Sequence, residues 1–185
     1  TPLDSENRAK LDMIQNAAKQ ISGHMQNGAL VILRSTVKIG TARNIITPIL
    51  KATGKKFEIA VCPERTLEGQ AIEEISSLPQ IIGADSQNTL SRAGKIFNFL
   101  TPTIVRVNSL ETAEVVKLVD NTFRDVMFGF ANEVARLCDA VGISAHEVIK
   151  SGKLGYERTN VSSPGPVGGP CLEKDPHILT ESALS

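Results

Sequence analysis

The stretch Leu110–Val141, LETAEVVKLVDNTFRDVMFGFANEVARLCDAV, has no proline, and its apolar residues recur at three- and four-residue spacing from end to end. It predicts one continuous helix of about 45 Å, too long for a simple crossover between neighbouring strands. Val116, Val119, Phe123, Val126, Phe130, Val134, Leu137 and Val141 make one stripe, and Val115, Leu118, Met127 and Ala131 widen it. A face that broad predicts burial on two sides, with a second copy of the chain covering one of them, hence a homodimer through residues 110–141. Gly142 stops the helix, and Ser144 caps a short one running through Ile149.

Toward the N-terminus the period changes. Ala29–Leu33 and Phe57–Val61 are apolar runs too short for helices, entered after Asn27-Gly28 and Gly54 and left at Arg34-Ser35-Thr36 and Cys62-Pro63. Ile81-Ile82 before Gly83 and Thr103–Val107 read as two further strands. Helical patterns lie between them, from about Ser5 (capped by Asp4 or Ser5) to Met25, Thr41 to Ala52 and Gln87 to Leu100. Strands alternating with helices predict an α/β fold with a doubly wound parallel sheet covered by helices. We place the boundary near Asn108, with residues 1–108 forming the sheet domain and 109–185 an all-α domain carrying the long helix.

Composition narrows the function. The 185 residues carry 20 Lys and Arg against 20 Asp and Glu, so there is no net positive field to hold nucleic acid or an anionic membrane. No apolar run is long enough to span a bilayer, and no secretory leader is visible, so the chain is expected to be soluble and cytoplasmic. Three cysteines at wide spacing and three scattered histidines offer neither a disulfide framework nor a metal site.

Pro164-Gly165-Pro166-Val167-Gly168-Gly169-Pro170-Cys171 is the most informative segment for chemistry, since glycine and proline fix a tight backbone that another molecule can approach. An arbitrary cysteine in a loop is most often inert. Here Lys174 and Asp175 follow at once: a turn beginning at Cys171 would put Asp175 on its face, and the amides with Lys174 would lower the thiol pKa. Cys62 and Cys138 lack such surroundings and read as core. Lys117 and Asn121, four residues apart, project together from the long helix, either as a solvated polar face or as a pair for a developing negative charge. Glu64 and Glu68 follow a strand's carboxyl end, where open parallel sheets bind ligands, or they open a turn and helix. Thr36 ends the preceding strand at the same edge, as a cap or beside a cofactor.

Taken in order, Ser35-Thr36-Val37, Pro63-Glu64-Arg65 with Glu68-Gly69, Glu114 with Lys117 and Asn121, Asn132-Glu133, and Gly168-Gly169-Pro170-Cys171-Leu172-Glu173-Lys174-Asp175 resemble the UDP-glucose/GDP-mannose dehydrogenase family. Pro63-Glu64-Arg65 and the segment from Arg158-Thr159-Asn160 to Cys171 look most like the branch that oxidises UDP-N-acetylmannosamine or UDP-N-acetylglucosamine. The resemblance implies an NAD-dependent oxidation of a nucleotide sugar's C6 alcohol to the acid, reducing two NAD in succession through a thioester on Cys171. By family match, Lys117 and Asn121 stabilise oxyanions, and Asp175 and Glu64 position or deprotonate water. Thr36, Glu68 and Lys174 line the nicotinamide side, while Glu64, Arg65, Lys117, Asn121, Asn160 and Gly168 bind substrate, the Asn160–Gly168 loop lying over the sugar. Neither the glycine-rich phosphate loop of such enzymes nor their C-terminal nucleotide-sugar domain is in the sequence, so the chain is expected to be an internal piece of a longer enzyme, inactive alone. Two other readings stand beside it. In a non-catalytic dimerisation module, Glu64, Lys117, Asn121, Cys171 and Asp175 would have no reason to converge. A relative acting on 3-hydroxy acids by a single hydride transfer would need no thiol.

Overall fold

Four short apolar runs become the strands of one sheet in the computed structural model, which describes residues 1–67 and 69–184: β1 (Ala29–Leu33), β2 (Phe57–Val61), β3 (Gln80–Gly83) and β4 (Ile104–Val107), in the spatial order β1-β2-β3-β4. The helices are α1 (Asp12–His24), α2 (Thr47–Lys51), α3 (Ala71–Ser77), α4 (Gln87–Phe97), α5 (Leu110–Val141), α6 (Ala145–Lys153) and α7 (Asp175–Leu184). The chain divides into two compact units, residues 1–118 with 177–185, and residues 119–176.

The sheet is covered on both faces, as the alternation of elements predicts. Val31, Leu33, Ile59 and Val61 pack with Ala18 of α1, Leu50 of α2 and Ala113 of α5. Ala60, Cys62 and Ile82 pack with Leu90, Ala93 and Phe97 of α4 on the other side. Pairing is parallel between β1 and β2 and between β3 and β4, but antiparallel where Val61 meets Gly83. The sheet is therefore mixed, and the reason lies in its one weak connection. Helix α3, which the hydrophobic pattern does not announce, buries none of its residues. A parallel return needs a crossover that passes back over the sheet, usually a packed helix; α3 does not pack in that way, and β3 runs the other way.

Two helical segments also differ from expectation. The first helix begins at Asp12 and not near Ser5, because Asp4 closes a turn of its own by accepting the Glu6 and Arg8 amides at 2.8 and 2.9 Å. Asn7 sits there at φ 59°, outside any helix, and Leu3 bridges Ala9. Within the segment expected from Thr41 to Ala52, residues Ala42–Ile46 form a π-helical turn ahead of α2. Pro48 has no amide to donate to Asn44, and a wider turn in which Thr47 N–H reaches Ala42 O absorbs that loss.

Helix α5 runs unbroken over the expected residues, opened by the Ser109 hydroxyl accepting the Thr112 amide at 3.1 Å and closed by Gly142 at φ 72°. Two of its carboxylates grip the segment that follows β1. Glu114 accepts the amides of Gly40 and Ala42 at 2.6 and 2.9 Å, and Glu111 holds Arg43, which also pairs with Asp85. Burial raises the Glu114 pKa against the pull of those amides, whereas the Arg43 contact lowers that of Glu111. The buried positions of α5 are Leu110, Ala113, Glu114, Leu118, Asn121, Ala131 and Cys138. Most of the large apolar stripe points outward instead: Phe123 is 62%, Phe130 54% and Leu137 67% exposed in the single chain. Where α5 comes closest to the sheet the inward residue is a small one, Ala113.

The tightest such approach is at Gly83, where an added Cβ would lie 2.3 Å from Ser109 O and 2.6 Å from the Ala113 Cβ. Gly83→Ala is expected to destabilise the protein by about 1–3 kcal/mol through overpacking against backbone. Gly23→Ala, at a helical position with open space, should leave stability unchanged or raise it by about 0.5 kcal/mol. Denaturant midpoints of the two variants check the contrast.

Candidate active site

The carboxyl ends of β1 and β2 lie side by side, with Leu33 in register with Val61. Beyond them the chain places Arg34, Ser35 and Thr36 on one strand's exit, and Pro63, Glu64, Arg65 and Thr66 on the other's. Thr36 is half-buried, and its carbonyl accepts from the Thr1 hydroxyl. Glu64 is gripped on several sides: its carboxylate pairs with Arg34 and accepts the Arg65 and Thr66 amides at 2.8 and 2.9 Å. Burial opposes its ionisation, but the Thr66 amide and the Arg34 guanidinium outweigh that and hold the carboxyl below its ordinary value. Glu68 lies outside the described residues.

Sequence reasoning missed two partners at this edge. Because β3 runs antiparallel to β2, its first residue comes to the carboxyl edge, where the buried Gln80 accepts from Arg34 at 3.1 Å and donates to Pro63 O at 3.2 Å. Arg34 lies over the Phe97 ring at 5.0 Å. An arginine immediately after an apolar strand was the available signal for the first, and nothing short of strand direction could have given the second. A cavity of about 20 Å³ opens among Glu64, Arg65, Thr66 and Gln80, enough for one water.

In residues 119–176 a second set converges. Asp175 is fully buried, and the Asn121 carboxamide donates to one of its oxygens at 2.5 Å while the Lys174 ammonium pairs with the other. The turn expected at Cys171 is present, since its carbonyl accepts the Lys174 and Asp175 amides at 3.3 and 3.0 Å. The Lys174 ammonium goes to Asp175, which is a different use from the thiol neighbour foreseen for it. Gly169, at φ 91°, takes a backbone conformation that favours glycine, and its amide donates to Glu173 at 3.3 Å. Gly168 precedes it at φ 159°, and a Cβ there would approach the Glu173 carboxylate to 3.2 Å. Asn160 is exposed in irregular backbone. Lys117 stands one turn before Asn121 on α5, half-buried, with no hydrogen bond or ion pair to any described residue.

The three thiols separate cleanly. Cys171 is exposed, whereas Cys62 and Cys138 are buried. Burial pushes the Cys62 thiol up to about 12, with Arg34 opposing. Cys171 thus presents an exposed thiol on a glycine-rich turn, while the buried carboxylate of Asp175 is satisfied by a carboxamide and an ammonium.

An α/β unit with a polar rim at its strand ends, continued through a long helix into a cysteine-bearing segment, is a dehydrogenase-type architecture. The chain belongs to the UDP-glucose/GDP-mannose dehydrogenase family: residues 1–101 match its NAD binding domain and residues 111–185 its central domain. It is 33% identical over 181 residues to the UDP-N-acetyl-D-mannosamine dehydrogenase of Methanocaldococcus jannaschii, covering 97% of this chain and 42% of that one. It is 31% identical over 195 residues to the NDP-N-acetyl-D-galactosaminuronic acid dehydrogenase of Ralstonia solanacearum, covering 99% of this chain and 46% of that one. The solved structure of a UDP-D-ManNAc dehydrogenase from Pyrococcus horikoshii superposes with a TM-score of 0.92 at 34% identity, covering all of this chain and 45% of that one. The chain thus spans less than half the length of these relatives. No helix among the described residues is long and apolar enough to cross a membrane.

The residues at the strand ends fit one side of NAD. A half-buried threonine hydroxyl and the Arg34–Glu64–Gln80 set give a polar rim at adjacent parallel strand ends, the place where such sheets take a cofactor's reactive ring.

Native protein treated with iodoacetamide is expected to incorporate one equivalent, at Cys171, with Cys62 and Cys138 reacting only on unfolding. Mass mapping that found either buried thiol alkylated under native conditions would contradict this assignment.

Proposed function

We propose that the enzyme of which this chain forms part oxidises the C6 alcohol of UDP-N-acetylmannosamine, or a similar UDP-sugar, to the uronic acid through a thioester on Cys171. The observation that carries this reading is the exposed Cys171 thiol, tied by its carbonyl to the buried Asp175–Asn121–Lys174 set. NAD, when bound, supplies the hydride acceptor for each of two successive oxidations. An aldehyde offers no alkoxide from which a second hydride can leave. The Cys171 thiolate supplies one by adding to the aldehyde carbon and forming a thiohemiacetal. Loss of hydride from that carbon gives the thioester, and water then cleaves the carbon–sulfur bond to release the acid and restore the thiol.

The Lys117 ammonium has no protein partner among the described residues to neutralise it, which suits it to hold the oxygen that is anionic in both oxidations, with Asn121 beside it on the same helix. Glu64, held below its ordinary pKa and bordering a water-sized cavity, and Asp175 are each assigned to position or deprotonate water. Thr36, Glu68 and Lys174 are assigned to the nicotinamide side. Glu64, Arg65, Asn160 and Gly168 are assigned to the nucleotide sugar, with Asn160–Gly168 over the sugar. We place the enzyme in the cytoplasm, where free thiols such as these three persist.

In the full-length enzyme, Cys171→Ala should abolish formation of the sugar acid while leaving nucleotide-sugar binding intact, and Lys117→Ala should lower kcat about a hundredfold, the scale of one lost oxyanion donor. Acid production by the Cys171 variant at a rate near the parent's would rule out the thioester route.

The outward stripe of α5 supports a homodimer, since Phe123, Val126, Phe130, Leu137 and Val141 are all more than half exposed in the single chain. Sedimentation should give a dimer that Phe123→Asp with Phe130→Asp converts to monomer. A parent that sediments as a monomer at tens of micromolar would remove the argument.

A further inference from the structure

One side chain ties the irregular segment before Cys171 to helix α5. The Asn132 carboxamide oxygen accepts from the Gly165 N–H at 2.8 Å, and its nitrogen donates to the Gly165 carbonyl, also at 2.8 Å. Both polar groups of one backbone residue are thereby taken by one planar amide. Gly165 stands between Pro164 and Pro166, neither of which has an N–H, so it holds the only backbone donor of that tripeptide. Residues 159–168 contain no helix or strand. With no ladder of backbone bonds to place it, such a segment takes its position from side-chain ties of this kind, and the flanking prolines limit how far a displacement at Gly165 can be absorbed locally.

We infer that Asn132 is a positioning residue for the Asn160–Gly168 segment and, through it, for the sugar; this rests on the reading above that the segment covers the sugar. Only a carboxamide offers a donor and an acceptor in one plane at this reach. Asparagine is therefore required where an exposed helix position would otherwise tolerate most polar residues.

The test uses the full-length enzyme with Asn132→Ala, Asn132→Asp and, as a control on the same helix surface, Arg136→Ala, which breaks only an exposed pair with Glu133. Asn132→Ala should raise KM for the nucleotide sugar about tenfold, from two lost hydrogen bonds, with KM for NAD unchanged. Asn132→Asp keeps the acceptor but sets a carboxylate against the Gly165 carbonyl. Its deficit should shrink as pH falls toward the carboxyl range, where protonation restores the donor, and the other variants should show no such trend. Amide exchange at Gly165, the single backbone proton between residues 164 and 166, should accelerate in Asn132→Ala and not in Arg136→Ala.

Unchanged exchange in Asn132→Ala would show that the tie is absent. Accelerated exchange with parental kinetics would show that it positions nothing. Either result overturns the inference. A parent enzyme that oxidises no nucleotide sugar would sink the functional reading and the sugar-directed part of this one, while the exchange result would still decide the tie by itself.

Discussion

The carboxylate of Glu114 is almost fully buried, and both its oxygens are spent on backbone amides, those of Gly40 and Ala42. A charge so placed is costly unless it is satisfied, and the amides that satisfy it are unpaired donors at the start of a helical segment, where the backbone dipole also favours negative charge. Burial still shows in its raised pKa. The contact decides the geometry of the β1 exit, because it fixes Gly40 to a rigid helix while Leu33 is fixed in the sheet. Only the few residues between them, Thr36 included, remain to be placed. Glu111, one turn earlier, repeats the grip from outside through Arg43 and Asp85. Removing the inner contact would leave two buried amides and free the strand exit together.

The reversal between β2 and β3 has its own effect on that edge. In an all-parallel sheet β3 would present its last residues there. Running antiparallel, it presents Gln80, which joins Arg34 and thereby orders the guanidinium that holds Glu64 ionised. The direction of one strand thus brings a further partner to the guanidinium that pairs with Glu64.

Much of the architecture was legible because glycine, proline and hydroxyl residues mark its joints. Asn27-Gly28, Gly54 and Cys62-Pro63 bracket strands that appear where the pattern places them, and Ser109 and Gly142 bracket α5. The failures have local causes. Asp4 was available as a helix cap and instead closed a turn, two uses of one carboxylate that sequence alone does not separate. Periodicity found the apolar stripe of α5 but not its direction: Leu118, Ala131 and Cys138 are buried, while Phe123, Phe130 and Leu137 point outward. At the site, the Cys171 turn followed from spacing, whereas the Asn121–Asp175 bond, between residues 54 apart in sequence, was not announced by either residue's neighbours. The engagement of Lys174 with Asp175 did not follow either, because adjacent residues carry no spacing signal.

The first compact unit is discontinuous in the chain, and its closing stitch comes late. Glu181 accepts the Ala9 amide and pairs with Lys38, 143 residues away in sequence. At translation rates of about 5–20 residues per second, Lys38 waits roughly 7–30 s for that partner, during which residues 119–176 emerge and have time to fold. Loop-closure entropy is then lower than for an unfolded insert of the same length, because a folded insert brings its own ends to a fixed separation. An insert that folded in that interval would bring α7 to the first unit with part of the closure cost already met.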